Sequence, residues 1–198
     1  MSTIDDFDRE RRQAVKILGI AKAAGVKQIA TSTSLGVSRI DAADPRLEPS
    51  LLEELLVVKK AVKQAVLHGE FEPWTILKPA YFKIDFLEPN IDNYSDIVSE
   101  KIWKFAMTPG TKIGFIDPHD IGQFAIAALK ALKGFKGRSL GLVSELLTSQ
   151  EAMDRLGKAM MGSPIKVAFM TDEEIAAAHP LTVLFRMGKS MRYMPDIC

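Results

Sequence analysis

FEPWTILKPAYFKIDF, residues 71–86, is the stretch from which the rest of the chain is read. Trp74-Thr75-Ile76-Leu77 is a short apolar, partly β-branched run after Pro73, and such a run bounded by proline reads as a buried strand. Lys78-Pro79 is expected to stop its ladder, because proline has no N–H to donate, so the chain is predicted to turn there. Past the turn come the large rings Tyr81, Phe82 and Phe86. Open α/β sheets hold their ligands outside the carboxyl ends of strands, so this corner is predicted to serve a cleft.

Immediately upstream, Ser50 to His68 carries Leu51, Leu55, Leu56, Val58, Val62 and Val66 on a wide apolar stripe, which predicts a helix packed on a sheet. Lys59, Lys60 and Lys63 sit at the edges of that stripe, and on spacing alone they read as a solvated face. Further back, Val26 to Ala30 reads as a strand delivering Thr31-Ser32-Thr33-Ser34 to its carboxyl end. As a bare pattern these hydroxyls are a turn satisfying its own backbone. A helix from Asp5 or Asp6 to about Ala24 precedes them, with Ala14, Leu18 and Ala21 on one face and Gly25 placed to end it.

Downstream, a helix is expected around Tyr94 to Lys104, a turn at Pro109-Gly110 and a strand over Lys112 to Ile116. Asp117-Pro118 is a helix start with a mechanism, since proline is pre-set for the first turn, and it predicts a helix to Lys133. A strand follows at Ser139 to Val143. Thr148-Ser149-Gln150-Glu151 and Thr171-Asp172-Glu173-Glu174 are capping boxes, predicting helices through Met161 and Ala178 with a strand, Pro164 to Met170, between them. The segment 37–49 is loop-like, and 181–194, LTVLFRMGKSMRYM, reads as a closing helix. Alternating helices and strands predict the α/β class, a parallel sheet with crossover helices.

The 198 residues are 47% hydrophobic, enough for one good core and a single domain over 1–198. The formal net charge of +1 advertises neither nucleic acid nor an anionic membrane as partner. Cys198 is the single cysteine, which excludes internal disulfides and a cysteine metal site and suits a reducing compartment. No apolar run approaches the ~20 residues of a membrane span, so a cytoplasmic location and no membrane partner are expected. None of the motifs G-x-G-x-x-G, P-loop or H-E-x-x-H occurs, and no metal site is expected.

The blocks AKAAGVKQIATSTS (21–34), the Lys59/Lys60 helix, WTILKPAYF (74–82), GFIDPHDIGQFAIAAL (114–129), LLTSQEAMDRLGKAMMG (146–162) and TDEEI (171–175), in this order, resemble the NmrA-type branch of the atypical short-chain dehydrogenases. The resemblance covers roughly Asp5 to Ala178. It implies a partial Rossmann-like parallel sheet over 1–143 and a small C-terminal α+β substrate part over 144–198, with the family's glycine-rich nucleotide half expected before the first helix. It further implies an oxidoreductase using NADP or NAD on a small organic substrate, a carbonyl, alcohol or enone, in secondary metabolism.

By the same resemblance Ser32, Thr33 and Ser34 would lie beside the nicotinamide. Lys59 or Lys60 would match the family's active-site lysine at the nicotinamide ribose, and counting back from Trp74-Thr75 favours Lys59. Pro79 and Tyr81 would line the nicotinamide pocket, with Phe82 and Phe86 toward the substrate. Lys78 stands where arginine is usual, Lys63-Gln64 where a glutamate usually follows the lysine, and Asp85 where asparagine is common. No Tyr-x-x-x-Lys pair is present, so the ordinary short-chain dehydrogenase acid is not assignable. The alternatives are a catalytically silent regulatory or sensor protein and a truncated inactive member. Lack of a glycine-rich turn predicts weak dinucleotide binding, and a strand near Val26 to Thr31 without an inner neighbour predicts self-association through an exposed sheet edge.

Overall fold

The computed structural model describes residues 7–35, 37, 51–131, 133–160 and 162–177. Most of the predicted loop before Pro49 and the closing helix at 181–194 lie outside the described residues. In chain order the elements are α1 (Phe7–Ala23), β1 (Ile29–Ser32), α2 (Leu51–His68), β2 (Trp74–Pro79), β3 (Tyr81–Phe82), α3 (Ser95–Glu100), β4 (Ile102–Phe105), β5 (Lys112–Ile116), α4 (Pro118–Lys130), β6 (Arg138–Leu142), β7 (Glu145–Thr148), α5 (Ser149–Met160), β8 (Lys166–Phe169) and α6 (Asp172–Ala177). Two one-turn 3₁₀ helices, Lys83–Phe86 and Asn90–Tyr94, join β3 to α3.

The chain forms two compact units. The first contains α1, β1, α2 from Glu53 onward, β2, α4 and β6. Its three strands pair in the order β1-β2-β6. Both ladders are parallel, running from Ile29↔Trp74 to Ser32↔Leu77 and from Thr75↔Arg138 to Pro79↔Leu142. Parallel neighbours need a crossover, and α2 and α4 supply it. The core of this unit gathers Leu18, Val66, Phe71 and Ile76, with Ile29, Ala65 and Trp74 packed on it, so α1, α2, β1 and β2 share one apolar seam. Gly25, at φ +78°, ends α1. Its N–H bonds the Lys22 carbonyl at 2.9 Å and the Val26 N–H bonds the Ala21 carbonyl at 3.0 Å, the paired reverse bonds of a Schellman cap.

The predicted stop at Lys78-Pro79 is where β2 ends, with both residues still inside its ladder. Strand β2 runs through Pro79, whose carbonyl still accepts the Leu35 N–H at 2.9 Å, and the Ala80 N–H reaches the Leu142 carbonyl at 3.0 Å. Proline removes a single donor, so the carbonyl side of the ladder continues past it.

The second unit contains β3, β4, β5, β7 and β8 with α3, α5 and α6. Here β5 lies between β3, which is parallel to it, and β7, which is antiparallel, while β4 and β8 form a separate parallel pair. The helix expected over Tyr94 to Lys104 is corrected. It stops at Glu100, where Lys101 takes the left-handed conformation (φ 55°), and Ile102-Trp103-Lys104-Phe105 is a strand registered on Lys166 to Phe169. Its alternation of buried Trp103 and Phe105 with half-buried Ile102 and Lys104 is the period of a strand.

Both capping boxes close as the sequence requires. The Thr148 N–H bonds the Glu151 carboxylate at 2.8 Å and the Glu151 N–H bonds Thr148 Oγ1 at 3.2 Å; the Thr171 and Glu174 pair repeats this at 2.7 and 3.2 Å. Inside α5, the Gln150 side-chain amide accepts the Val167 N–H at 3.1 Å and donates to the Ile165 carbonyl at 3.0 Å, which substitutes for a neighbouring strand on β8.

Candidate functional site

In the first unit Ser32, Thr33 and Ser34 lie at the carboxyl end of β1. Ser32 closes the strand and is exposed, Thr33 follows it buried, and Ser34 is half-buried. The backbone still pairs beyond Ser32, with the Thr33 N–H on the Leu77 carbonyl at 2.8 Å. Ser34 Oγ spends its proton locally on the Leu35 carbonyl at 3.3 Å. Thr33 Oγ1 differs: it is buried and has no hydrogen-bond partner among the described residues. A buried hydroxyl left unpaired costs about 1–3 kcal/mol, so a ligand that supplied its partner would recover that energy.

Pro79 is buried at the end of β2, whose ladder with β1 brings it close to Leu35. Lys59 lies on α2 with its Nζ bonded to the Glu10 carboxylate of α1 at 2.5 Å, both side chains being about a quarter exposed (23% and 24%). The lysine that the resemblance assigns to a ribose is thus held by an α1 carboxylate. Helix geometry brings Glu10 and Lys59 together, and no motif in the sequence announces the pair.

The remaining predicted residues belong to the second unit, and the structure brings two of them into one cluster of rings. Tyr81 stacks on Phe86 (centroids 5.6 Å apart, planes at 21°) and meets Phe115 edge-on at 5.8 Å. Phe86 in turn touches Tyr94 at 5.2 Å and Trp103 at 5.4 Å. Phe82 stands apart from these rings as the β3 partner of Ile116. Phe86 is 4% exposed, which makes it part of a core.

Three polar groups are set among the rings. The Tyr81 and Tyr94 hydroxyls are hydrogen-bonded to each other. Burial, followed by the neighbouring hydroxyl and the Asp85 charge, pushes the Tyr81 hydroxyl well above the ordinary tyrosine range, and burial does the same to Tyr94. Burial also pushes the Asp85 carboxyl up to about 6. The third group is Trp103 Nε1, buried without a hydrogen-bond partner among the described residues. Lys83, two positions before Asp85, is bonded to Glu145 Oε1, and Arg155 occupies the other oxygen of that carboxylate. The Lys83 bond is the main cause that holds the Glu145 carboxyl below its usual range.

Sequence reasoning singled out Tyr81 and Phe86 but missed the roles of Tyr94, Asp85 and Trp103. Tyr94 is thirteen residues from its hydroxyl partner, so no local spacing marks it. Asp85 carried the one available signal, an acidic residue inside the aromatic run YFKIDF. Among the described residues no cluster of three or more His, Cys, Asp or Glu could hold a metal, and no helix is long and apolar enough to cross a membrane.

The model of the NmrA-like family matches residues 1–197. The chain is 34% identical over 110 residues to the uncharacterized oxidoreductase YesF of Bacillus subtilis (strain 168), a match covering 56% of this chain and 37% of that one. Its fold resembles the triphenylmethane reductase of Citrobacter sp. with a TM-score of 0.64 at 16% identity, over 98% of this chain and 66% of the reductase. It also resembles UDP-glucuronic acid 4-epimerase of Bacillus cereus, solved with UDP-glucuronic acid and NAD, with a TM-score of 0.59 at 16% identity, over 82% of this chain and 54% of the epimerase. The α/β, Rossmann-like architecture expected from the sequence is therefore borne out. The chain spans about a third of the curated relative and between half and two-thirds of these structures.

Proposed function

The chain belongs to the NmrA-like family, and from that membership we propose that it is part of a nicotinamide-dependent oxidoreductase acting on a small organic substrate. The single observation that carries the reading is the buried Thr33 Oγ1 without a partner at the carboxyl end of a parallel strand, the place where open α/β sheets receive ligands. A nicotinamide cofactor, when bound, supplies or takes up the hydride. Toward it, Ser32, Thr33 and Ser34 offer hydroxyls, Lys59 is proposed at the ribose, and Pro79 would contribute apolar contact. A cytoplasmic location and a substrate from secondary metabolism complete the proposal.

The residues fit the nicotinamide end of the cofactor better than its pyrophosphate. Pyrophosphate is held mainly by the backbone N–H groups of a glycine-rich turn at a helix N-terminus, and this sequence has no such turn. NADPH and NADH are therefore expected to bind more weakly than the low-micromolar range. The test follows absorbance at 340 nm with the full chain, millimolar NADPH or NADH, and a panel of a triphenylmethane dye, 4-nitrobenzaldehyde and 9,10-phenanthrenequinone. Consumption of either nicotinamide with any acceptor supports the reading, and none with all three sinks it.

One observation favours a second reading, a silent regulatory or sensor protein. Lys59 is already ion-paired with Glu10, and a ribose would have to compete with that carboxylate. Nicotinamide binding without turnover, unaltered by Glu10→Gln, would select the sensor.

A further inference from the structure

Among the described residues strand β8 pairs only with β4, which leaves the backbone groups on its other edge without a strand neighbour. Such an edge is a template on which another chain can pair. The segment that contains it, IKVAFM (165–170), suits that pairing. Ile165, Val167 and Phe169 favour strands, Lys166 is the one charge, and there is no proline.

Helix α5 closes this edge in two ways. The Gln150 carboxamide donates from Nε2 to the Ile165 carbonyl at 3.0 Å and accepts the Val167 N–H at 3.1 Å. Those two backbone groups flank Lys166, and in a parallel ladder both would bond the residue opposite it on a neighbouring strand. The side chain therefore stands in for one residue of a strand. A second bond from Nε2, to Asp154 Oδ1 at 2.8 Å one helical turn further on, fixes which way the amide faces. Nearer the other end of the helix Gly157 is buried, and backbone atoms of Ser163, Pro164 and Ile165 fill the space a side chain would need. The helix thus lies directly along the chain entering β8. All of these residues belong to the second unit.

We propose that the outer edge of β8 is a strand-pairing surface for the same segment of a second copy, and that Gln150 is the residue that keeps it closed. A second copy is the occupant because identical segments paired edge to edge align their apolar side chains with their own kind. One carboxamide covers a single bridge, so its loss leaves a donor and an acceptor unpaired in the middle of the segment. Unpaired backbone groups are costly, and a strand from another molecule supplies what the carboxamide had supplied.

The test uses the full chain with Gln150→Met, which keeps the bulk of the side chain and removes both bonds to β8. Parent and variants all carry Ile17→Lys and Ile20→Lys, because these exposed α1 side chains give the first unit its own route to association. Light scattering should show the mass of Gln150→Met rising with concentration above that of the parent. Amide exchange at Val167 should quicken about tenfold, the equivalent of one lost hydrogen bond. Adding Ala168→Lys, at an exposed position of β8, should return Gln150→Met to the parent's mass without restoring protection at Val167, since charge disfavours edge pairing. Thr148→Ala loosens the same end of α5 but leaves Gln150 in place, so it should not associate.

Equal association by Thr148→Ala would show that a loosened helix, rather than an opened edge, is the cause, and would overturn the proposal. So would a Gln150→Met chain that stays at the parent's mass, or one whose Val167 exchange is unchanged. If Gln150→Met does not fold, Gln150→Glu carries the comparison, because it keeps an acceptor for Val167 and cannot donate to Ile165. Excess mass that Ala168→Lys reverses supports the proposal, and the parent's mass overturns it.

Discussion

Asp85 makes a prediction about stability. An unfolded aspartate titrates near 3.8, whereas burial moves the folded carboxyl up to about 6. The folded state therefore binds the proton more tightly, so this contribution is fully present below about pH 4 and is lost as the pH rises through 6. Two units would correspond to roughly 3 kcal/mol at full burial. Discounted for solvent access, about 1–2 kcal/mol is expected. Asp85→Asn should therefore raise the unfolding temperature at pH 8 by several degrees and leave it nearly unchanged at pH 4, read by circular dichroism. A stabilisation that does not depend on pH would show that the carboxyl is well solvated. At Lys59 a double-mutant cycle with Lys59→Met and Glu10→Gln should give a coupling of about 0.5–1 kcal/mol, because both groups are mostly shielded from water. A coupling near zero would return Lys59 to the solvated face that its spacing suggested.

At the scale of elements, glycine and cap positions carry the sharpest expectations. A Cβ on Gly157 of α5 would lie 2.4 Å from the Ser163 carbonyl and 2.8 Å from the Ile165 N, both backbone atoms. Neither can move without pulling the entry to β8 away from the helix, so Gly157→Ala should cost about 2–4 kcal/mol. Gly25→Ala meets no atom within 4 Å, and only its positive φ is strained, so about 1 kcal/mol is expected. Thr148→Ala removes the acceptor for the Glu151 N–H and should also cost about 1 kcal/mol. Urea titrations of the three variants would check that order; Gly25→Ala proving the most damaging would contradict it.

For the molecule as a whole, the open question is what completes the first unit. Among the described residues β1 pairs only with β2, so one side of its backbone lacks a strand neighbour. Helix α1 of the same unit shows Ile17 at 65% and Ile20 at 59% exposure, three residues apart on one face. Burying each such side chain is worth about 1.5–3 kcal/mol, a strong incentive to associate. We propose self-association through this edge. Light scattering on the full chain should give a mass above the monomer that falls toward it with Ile17→Lys plus Ile20→Lys. A wild-type chain that stays monomeric at 100 μM would rule it out.

The sequence by itself determined what is encoded locally. Both capping boxes, the Gly25 cap, the amphipathic α1 and α2, and strands β5 and β8 could be read from spacing and turn chemistry, because each depends on residues within a turn or two of one another. The alternation of helices and strands implied the α/β class, and the family resemblance added its Rossmann-like form, although no single motif carried it. Tertiary structure decided what depends on distant partners. Strand β4 reads as helix until β8 pairs with it. The same holds for the chemistry. The Lys59 pairing with Glu10 spans 49 residues and the Tyr81 pairing with Tyr94 spans 13, and the upward shift of the Asp85 carboxyl follows from desolvation by its folded surroundings. Burial is a property of the folded surroundings, so no pattern of neighbours along the chain could have assigned it.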